Sequence, residues 1–220
     1  MKKNIFKTFI ITLPFLVVSC FNQTGYSEQT KTTSVVSSDQ NESSEYVKLN
    51  DSLKGLLINS GNKISHKAGL SLKNALKNAI NEGGLEYAIE FCNIEAIPIT
   101  DSVSITESVE IKRLAKKYRN PLNETDSVES EIYKTYILDW LSGKPLKPRI
   151  IPNENQHPVY YNPIFVGALC LNCHGEVGSN IQLDLANTIQ ELYPEDKAID
   201  FKQGQLRGMW AITFNSIKVQ

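Results

Sequence analysis

Five consecutive residues, Cys170-Leu171-Asn172-Cys173-His174, set two thiols three positions apart and an imidazole beside the second. Thiols at that spacing can add across the two vinyl groups of one porphyrin, and the adjoining imidazole can then swing beneath the iron as an axial ligand. The segment reads as a c-type haem attachment site, with Cys170 and Cys173 as thioether donors to one haem c and His174 as an iron ligand. Other chemistries fit less well. A structural zinc site wants four ligands, and no second Cys-x-x-Cys or histidine pair stands at a usual spacing. A thioredoxin-like redox pair sits in a βαβ pattern, which the sequence lacks. A disulfide between Cys170 and Cys173 would close a very small, strained loop.

Four cysteines are present in all. Two belong to the attachment segment and Cys20 ends an export signal, which leaves Cys92 alone. A lone cysteine in an oxidising compartment has no disulfide partner. From its position Cys92 is either a small inward-facing core residue or a sixth ligand to iron. The other candidates are His66, His157 and Met209. His66 falls off the apolar stripe of its helix and reads as solvated; His157 precedes a proline in an extended segment; Met209 precedes a strand and reads as packing.

Covalent haem attachment takes place outside the cytoplasm, and the first residues carry an address. Lys2, Lys3 and Lys7 precede ten residues, Phe9 to Val18, that are mostly apolar but interrupted by Pro14. Such a run is too short to span a bilayer. Its end, Val17-Val18-Ser19-Cys20, is similar to the lipobox of bacterial lipoproteins, so residues 1–19 are expected to be a cleaved signal and Cys20 the lipidated terminus. Acyl chains anchor firmly, each buried CH2 contributing about 0.8 kcal/mol. The expected location is the periplasmic side of a bacterial membrane. Residues 20–45, rich in Ser, Thr, Gln and Asn, read as a flexible tether with a reach of about 25–30 Å. Residues 46–220 remain for one folded domain.

Charge narrows the partners. The 220 residues carry 23 Lys+Arg against 24 Asp+Glu, a formal charge of −1. Cleavage before Cys20 removes three lysines and no acid, which takes the formal charge to −4. A mildly acidic chain offers no field for nucleic acid, and a mean hydropathy of −0.26 excludes a polytopic membrane protein.

The elements that must position these residues are visible in the periodicity. Ile64, Ala68, Leu72, Ala75, Leu76 and Ala79 mark a helix over Lys63 to Ile80 that stops at Gly83-Gly84. Leu85, Ala88, Ile89, Cys92 and Ala96 mark a second, over Leu85 to Ile97, with Pro98 expected to end it. Asp126 to Glu129 resembles a capping box that opens a third helix running to Gly143. Alternation at Trp210, Ile212 and Phe214, and a β-prone run from His157 to Tyr161, predict strands. Val109 to Tyr118 is ambiguous and reads better as strand. Helices first and antiparallel strands later define an α+β domain.

From about Tyr46 onward the chain resembles a known family, the PAS-like haem c domain, found alone in bacteria and as a sensory module of membrane kinases. The resemblance rests on AIEFCNIEA around Cys92, RNPLNETD from Arg119 to Asp126, the block from Tyr160 to Gly175 that contains the attachment segment, and GQLRGMWAITF from Gly204 to Phe214. Gln205 departs from the Gly-Asp common there. The resemblance implies a PAS-like antiparallel sheet flanked by N-terminal helices, and an unusual axial pair, His174 and Cys92. A thiolate ligand favours ferric iron and a low potential. Arg119 could pair with a haem propionate, with Arg207 as its rival, while Asn120, Pro121 and Asn123 are expected to build a turn.

These residues imply electron transfer by an anchored monohaem protein with a redox partner. The alternative is redox or gas (CO or NO) sensing by exchange of an axial ligand, with output through a separate partner. An enzyme acting on peroxide or nitrogen oxides is the remaining class, and Cys92 at the sixth position disfavours it.

Overall fold

A computed structural model describes residues 46–220. The expected signal, Cys20 and the tether lie outside the described residues.

The longest element, α1 (Asp51–Glu107), opens where the Asn50 side chain accepts from Leu53 N at 2.9 Å. It is two arms rather than one rod. At Gly84 the backbone takes φ 76° and ψ −166°, a conformation open to glycine and to little else. The chain turns back there, and an ion pair at 2.5 Å joins Lys67 of the first arm to Glu107 at the end of the second.

Both arms run further than periodicity predicts. The first begins at Asp51, ahead of Lys63, because Leu57 and Gly61 are buried on the sheet in spite of the poor helix formers Asn59, Ser60 and Asn62 around them. Gly61 is required by close approach: a Cβ there would lie 2.3 Å from the Tyr160 ring. The second passes through Pro98 to Glu107, so Pro98 does not end it. Proline removes one i→i−4 bond, but two turns beyond it are held by Thr100 and Val103, both buried. The Thr100 hydroxyl also donates to Ala96 O at 2.9 Å.

Among the described residues four strands form one antiparallel sheet in the order β1-β4-β3-β2. They are β1 (Glu110–Leu114), β2 (Arg149–Pro152), β3 (Pro158–Phe165) and β4 (Leu206–Thr213). The ambiguous Val109 to Tyr118 region thus supplies a strand. Alternation sends Ile111, Tyr160, Trp210 and Ile212 to one face, where they pack on Leu57, Ile64, Ala68 and Val103 of α1. Leu114, Val159, Tyr161, Met209 and Ala211 go to the other, against Ile132 and Tyr136 of α2 (Ser127–Leu141). Each of these large side chains contributes about 1.5–3 kcal/mol on burial. The α2 start is the expected capping box, with Glu129 N donating to Asp126 at 2.7 Å and Asp126 N donating to Glu129 at 2.9 Å.

After β3 the chain enters a 3-10 turn (Ala168–Cys170), one helical turn α3 (Leu171–His174) and then α4 (Leu183–Leu192). The domain is α+β, with N-terminal helices flanking an antiparallel sheet, as the sequence predicts. β2 and α4 are not among the expected elements: β2 is four residues long, too short to show alternation, whereas α4 does carry a helical period in Leu185, Ile189 and Leu192.

Candidate functional site

Over the α1 face of the sheet lies a cavity of about 820 Å³, within the range of about 300–1,000 Å³ usual for ligand and cofactor sites. Leu72 and Leu76 of the first α1 arm line it, with Ala88, Cys92 and Ala96 of the second; the sheet supplies Arg113, Arg207 and Trp210, and the connection after β3 supplies Cys170, Cys173 and His174. Residues nearly 80 positions apart in sequence, Cys92 and the attachment segment, therefore share one chamber.

The attachment segment is shaped locally. Continuous helical turns carry Cys170, Cys173 and His174 at spacings of three and four, which brings them to one side of the turn. Cys92, Cys170 and Cys173 are all free thiols. Among the described residues no group of three or more His, Cys, Asp or Glu is gathered for a metal ion.

His174 is held by its second nitrogen. Nδ1 lies 2.7 Å from Ala198 O, and a carbonyl only accepts, so Nδ1 carries the proton and Nε2 keeps its lone pair. Burial, with the nearby Arg207 and Arg119 guanidiniums, holds the imidazole well below its usual pKa and therefore neutral. Ala198 is fixed in turn, its N–H donating to Asp196 at 2.8 Å. Asp196 accepts from Arg119 Nη2 at 2.9 Å and Nε at 3.2 Å, and the same Nη2 donates to Cys173 O at 2.6 Å. Arg119 and Asp196 thus tie the attachment turn to the loop behind His174. Nε and Nη2 of Arg119 are committed to these protein acceptors, and the side chain also lines the cavity.

Cys92 lines the same chamber from the second α1 arm, whose Leu85 and Ile89 pack with Cys173, and it has no comparable support. Burial pushes its thiol up, opposed by the positive Arg113 and Arg119. The remaining ligand candidates are elsewhere. His66 is exposed on α1, His157 binds Ile217 O at 2.8 Å through Nδ1, and Met209 is fully buried in the α2-side core. Asn120 builds the expected turn, its side chain accepting from Leu122 N at 2.9 Å. Gln205 does the same at 202–205, accepting from Lys202 N at 2.8 Å.

Arg113, Asp196 and Ala198 were not legible as site residues. A signal existed for Arg113: two positions after buried Ile111 on one strand, an arginine faces inward, where it is out of place without a partner. Asp196 and Ala198 lie in an irregular loop with no period to reveal them.

The fit to a haem is chemical as well as volumetric. The cavity combines two thiols and a neutral imidazole from one short segment, a third thiol from the second α1 arm, apolar helix faces, and arginines with unfilled donors. A helical hairpin closing such a chamber over one face of an antiparallel sheet defines a PAS-like domain. The chain belongs to the Tll0287-like family, whose profile matches residues 23–215. Its fold is similar to that in the "Crystal structure of the cyanobacterial heme-protein Tll0287", with 22% identity, a TM-score of 0.52, and coverage of 78% of this chain and 99% of that one. No curated protein matches.

Proposed function

We propose that this protein binds one haem c, covalently through Cys170 and Cys173 and axially through His174 and Cys92, and senses redox state or a small gas such as CO or NO by exchange of the Cys92 ligand. The observation that carries the reading is the division of the chamber: three haem-directed residues on one short segment and a fourth on a separate helix arm. The heme-protein relative of the same fold supports it. When bound, the haem supplies a reversible one-electron couple and an iron position that a small molecule can take.

The residues of this chain then do different work. Cys170 and Cys173 moor the group permanently. His174 is oriented by Ala198 and stays. Cys92 is joined by a ligand bond alone, so its release changes what the second α1 arm is tied to, and an output partner can read that change. Electron transfer, the first expectation from sequence, needs no such division, since it needs only a held haem and a stable ligand pair. Peroxide or nitrogen-oxide chemistry needs an open sixth position, which Cys92 fills. Anchoring through Cys20 and a periplasmic location complete the proposal, since thioether formation requires export. Among the described residues no helix is long and apolar enough to cross a membrane.

The test is the visible spectrum of the mature protein, made alongside cytochrome c maturation machinery, ferric and reduced, with and without CO. A low-spin ferric spectrum with a thiolate signature, and CO binding after reduction, are the expected results. Unchanged ligation and no CO binding on reduction would return the protein to electron transfer, and absence of covalent haem would overturn both readings.

A further inference from the structure

Three arginines border the cavity, Arg113, Arg119 and Arg207. One buried carboxylate, Asp196, answers them, and Arg119 holds it. Among the described residues neither Arg113 nor Arg207 has an ion-pair partner. Arg207 Nη1 donates to Lys117 O at 2.9 Å, but its Nε is buried with no hydrogen-bond partner at all. Unpaired buried charge is costly, and burying like charges together more so. Two guanidiniums left this way mark a place for an anion.

The sheet delivers the two by different devices. Arg113 is carried in by strand alternation, two residues after Ile111, opposite Trp210 of β4. Arg207 requires a bulge. Ile164 pairs with Gly208 but Phe165 pairs with Leu206, so Arg207 is the extra residue where the register shifts. Strict alternation from Met209 and Ala211 would send Arg207 to the α2 face. Instead Leu206 joins that core and Arg207 lines the cavity, the re-aiming of a side chain for which bulges are used.

Resting on the haem reading above, we infer that Arg113 and Arg207 form a carboxylate clamp that receives the two haem propionates. Arg207 also lies over the Phe201 ring at 5.2 Å, but among the described residues neither guanidinium has an anion; the two match two carboxylates in number, and their planar forks match them in geometry. The thioethers fix the vinyl-bearing edge of the ring, and the clamp fixes the propionate-bearing edge. The rival cations are Lys73 and Lys77, exposed at the cavity rim on the first α1 arm.

The clamp is tested on the matured holoprotein by resonance Raman spectroscopy of the propionate-bending band and by redox titration. Arg113→Gln and Arg207→Gln should shift the band and lower the midpoint potential, because positive charge beside the haem favours the reduced state. Arg207→Lys and Arg113→Lys, which keep charge and lose the fork, should shift the band with a smaller change in potential, and they serve where a Gln variant fails to fold. Lys73→Gln/Lys77→Gln should leave the band in place. A band unmoved in every arginine variant, or moved only by the lysine pair, overturns the clamp. Wild-type protein without covalent haem instead overturns the haem reading beneath it.

Discussion

The two walls of the cavity are built on opposite principles. The attachment wall is local: Cys170, Cys173 and His174 occupy one helical turn, and the Arg119–Asp196 pair and Ala198 brace that turn from behind. The helical wall is remote: Cys92 comes from an arm that must first fold back at Gly84 and lie across the sheet. A braced wall suits permanent attachment, whereas a wall hung on a hairpin suits a contact that can be made and released.

The largest effect should come from the local wall. In Cys170→Ala/Cys173→Ala the covalent haem should be lost entirely, read as absence of haem staining on a denaturing gel. Single substitutions should leave one thioether and retain part of the stain. Haem that stays bound through denaturation in the double variant would break the assignment of this wall.

Next come the braces. Arg119→Gln leaves Asp196 buried without its counter-ion, and one-sided removal of a buried pair costs about 3–5 kcal/mol. At roughly 2–4 °C per kcal/mol for a domain of this size, the midpoint of thermal unfolding should fall by about 6–20 °C. Because Arg119 also holds Cys173 O, the haem yield per folded molecule should fall too. A fall in stability with normal haem yield would make the pair a core device and no part of the site.

The same contrast explains what could be read from sequence. Cys-x-x-Cys-His is legible because its chemistry lies in adjacent residues and owes nothing to the rest of the fold. The two arms around Gly83-Gly84 were legible because glycine punctuation and a 3.6 period coincide. Cys92 was not legible as a ligand candidate from periodicity, which shows only that it faces inward; the family resemblance alone raised it. Arg113 and Asp196 depend on strand register and on an irregular loop, properties set by tertiary packing. Pro98 misled because a local breaking rule was outweighed by the burial of Val103 beyond it.

The hairpin itself gives a cleaner test of the remote wall. A Cβ at Gly84 would meet nothing within 4 Å, so Gly84→Ala adds no clash and isolates the backbone conformation. A non-glycine residue in that region costs about 1–3 kcal/mol. The thermal midpoint should fall by about 2–12 °C at the sensitivity given above, with covalent haem retained and the ferric spectrum altered as the second arm shifts. An unchanged spectrum would show that the position of Cys92 does not depend on the turn.

The smallest effect on stability is expected at Cys92 itself, and it separates the two roles its position allows. A packed core cysteine replaced by serine leaves a buried hydroxyl, which costs about 1–3 kcal/mol. A cysteine that borders an open chamber loses far less, because the new hydroxyl can meet water there. In the haem-free Cys170→Ala/Cys173→Ala background, Cys92→Ser should therefore move stability by no more than about 0.5 kcal/mol. In the attachment-competent protein the same substitution should remove the thiolate signature of the ferric spectrum. A large loss of stability with an unchanged spectrum would assign Cys92 to packing, and the comparison of walls would reduce to a moored haem with a helix beside it.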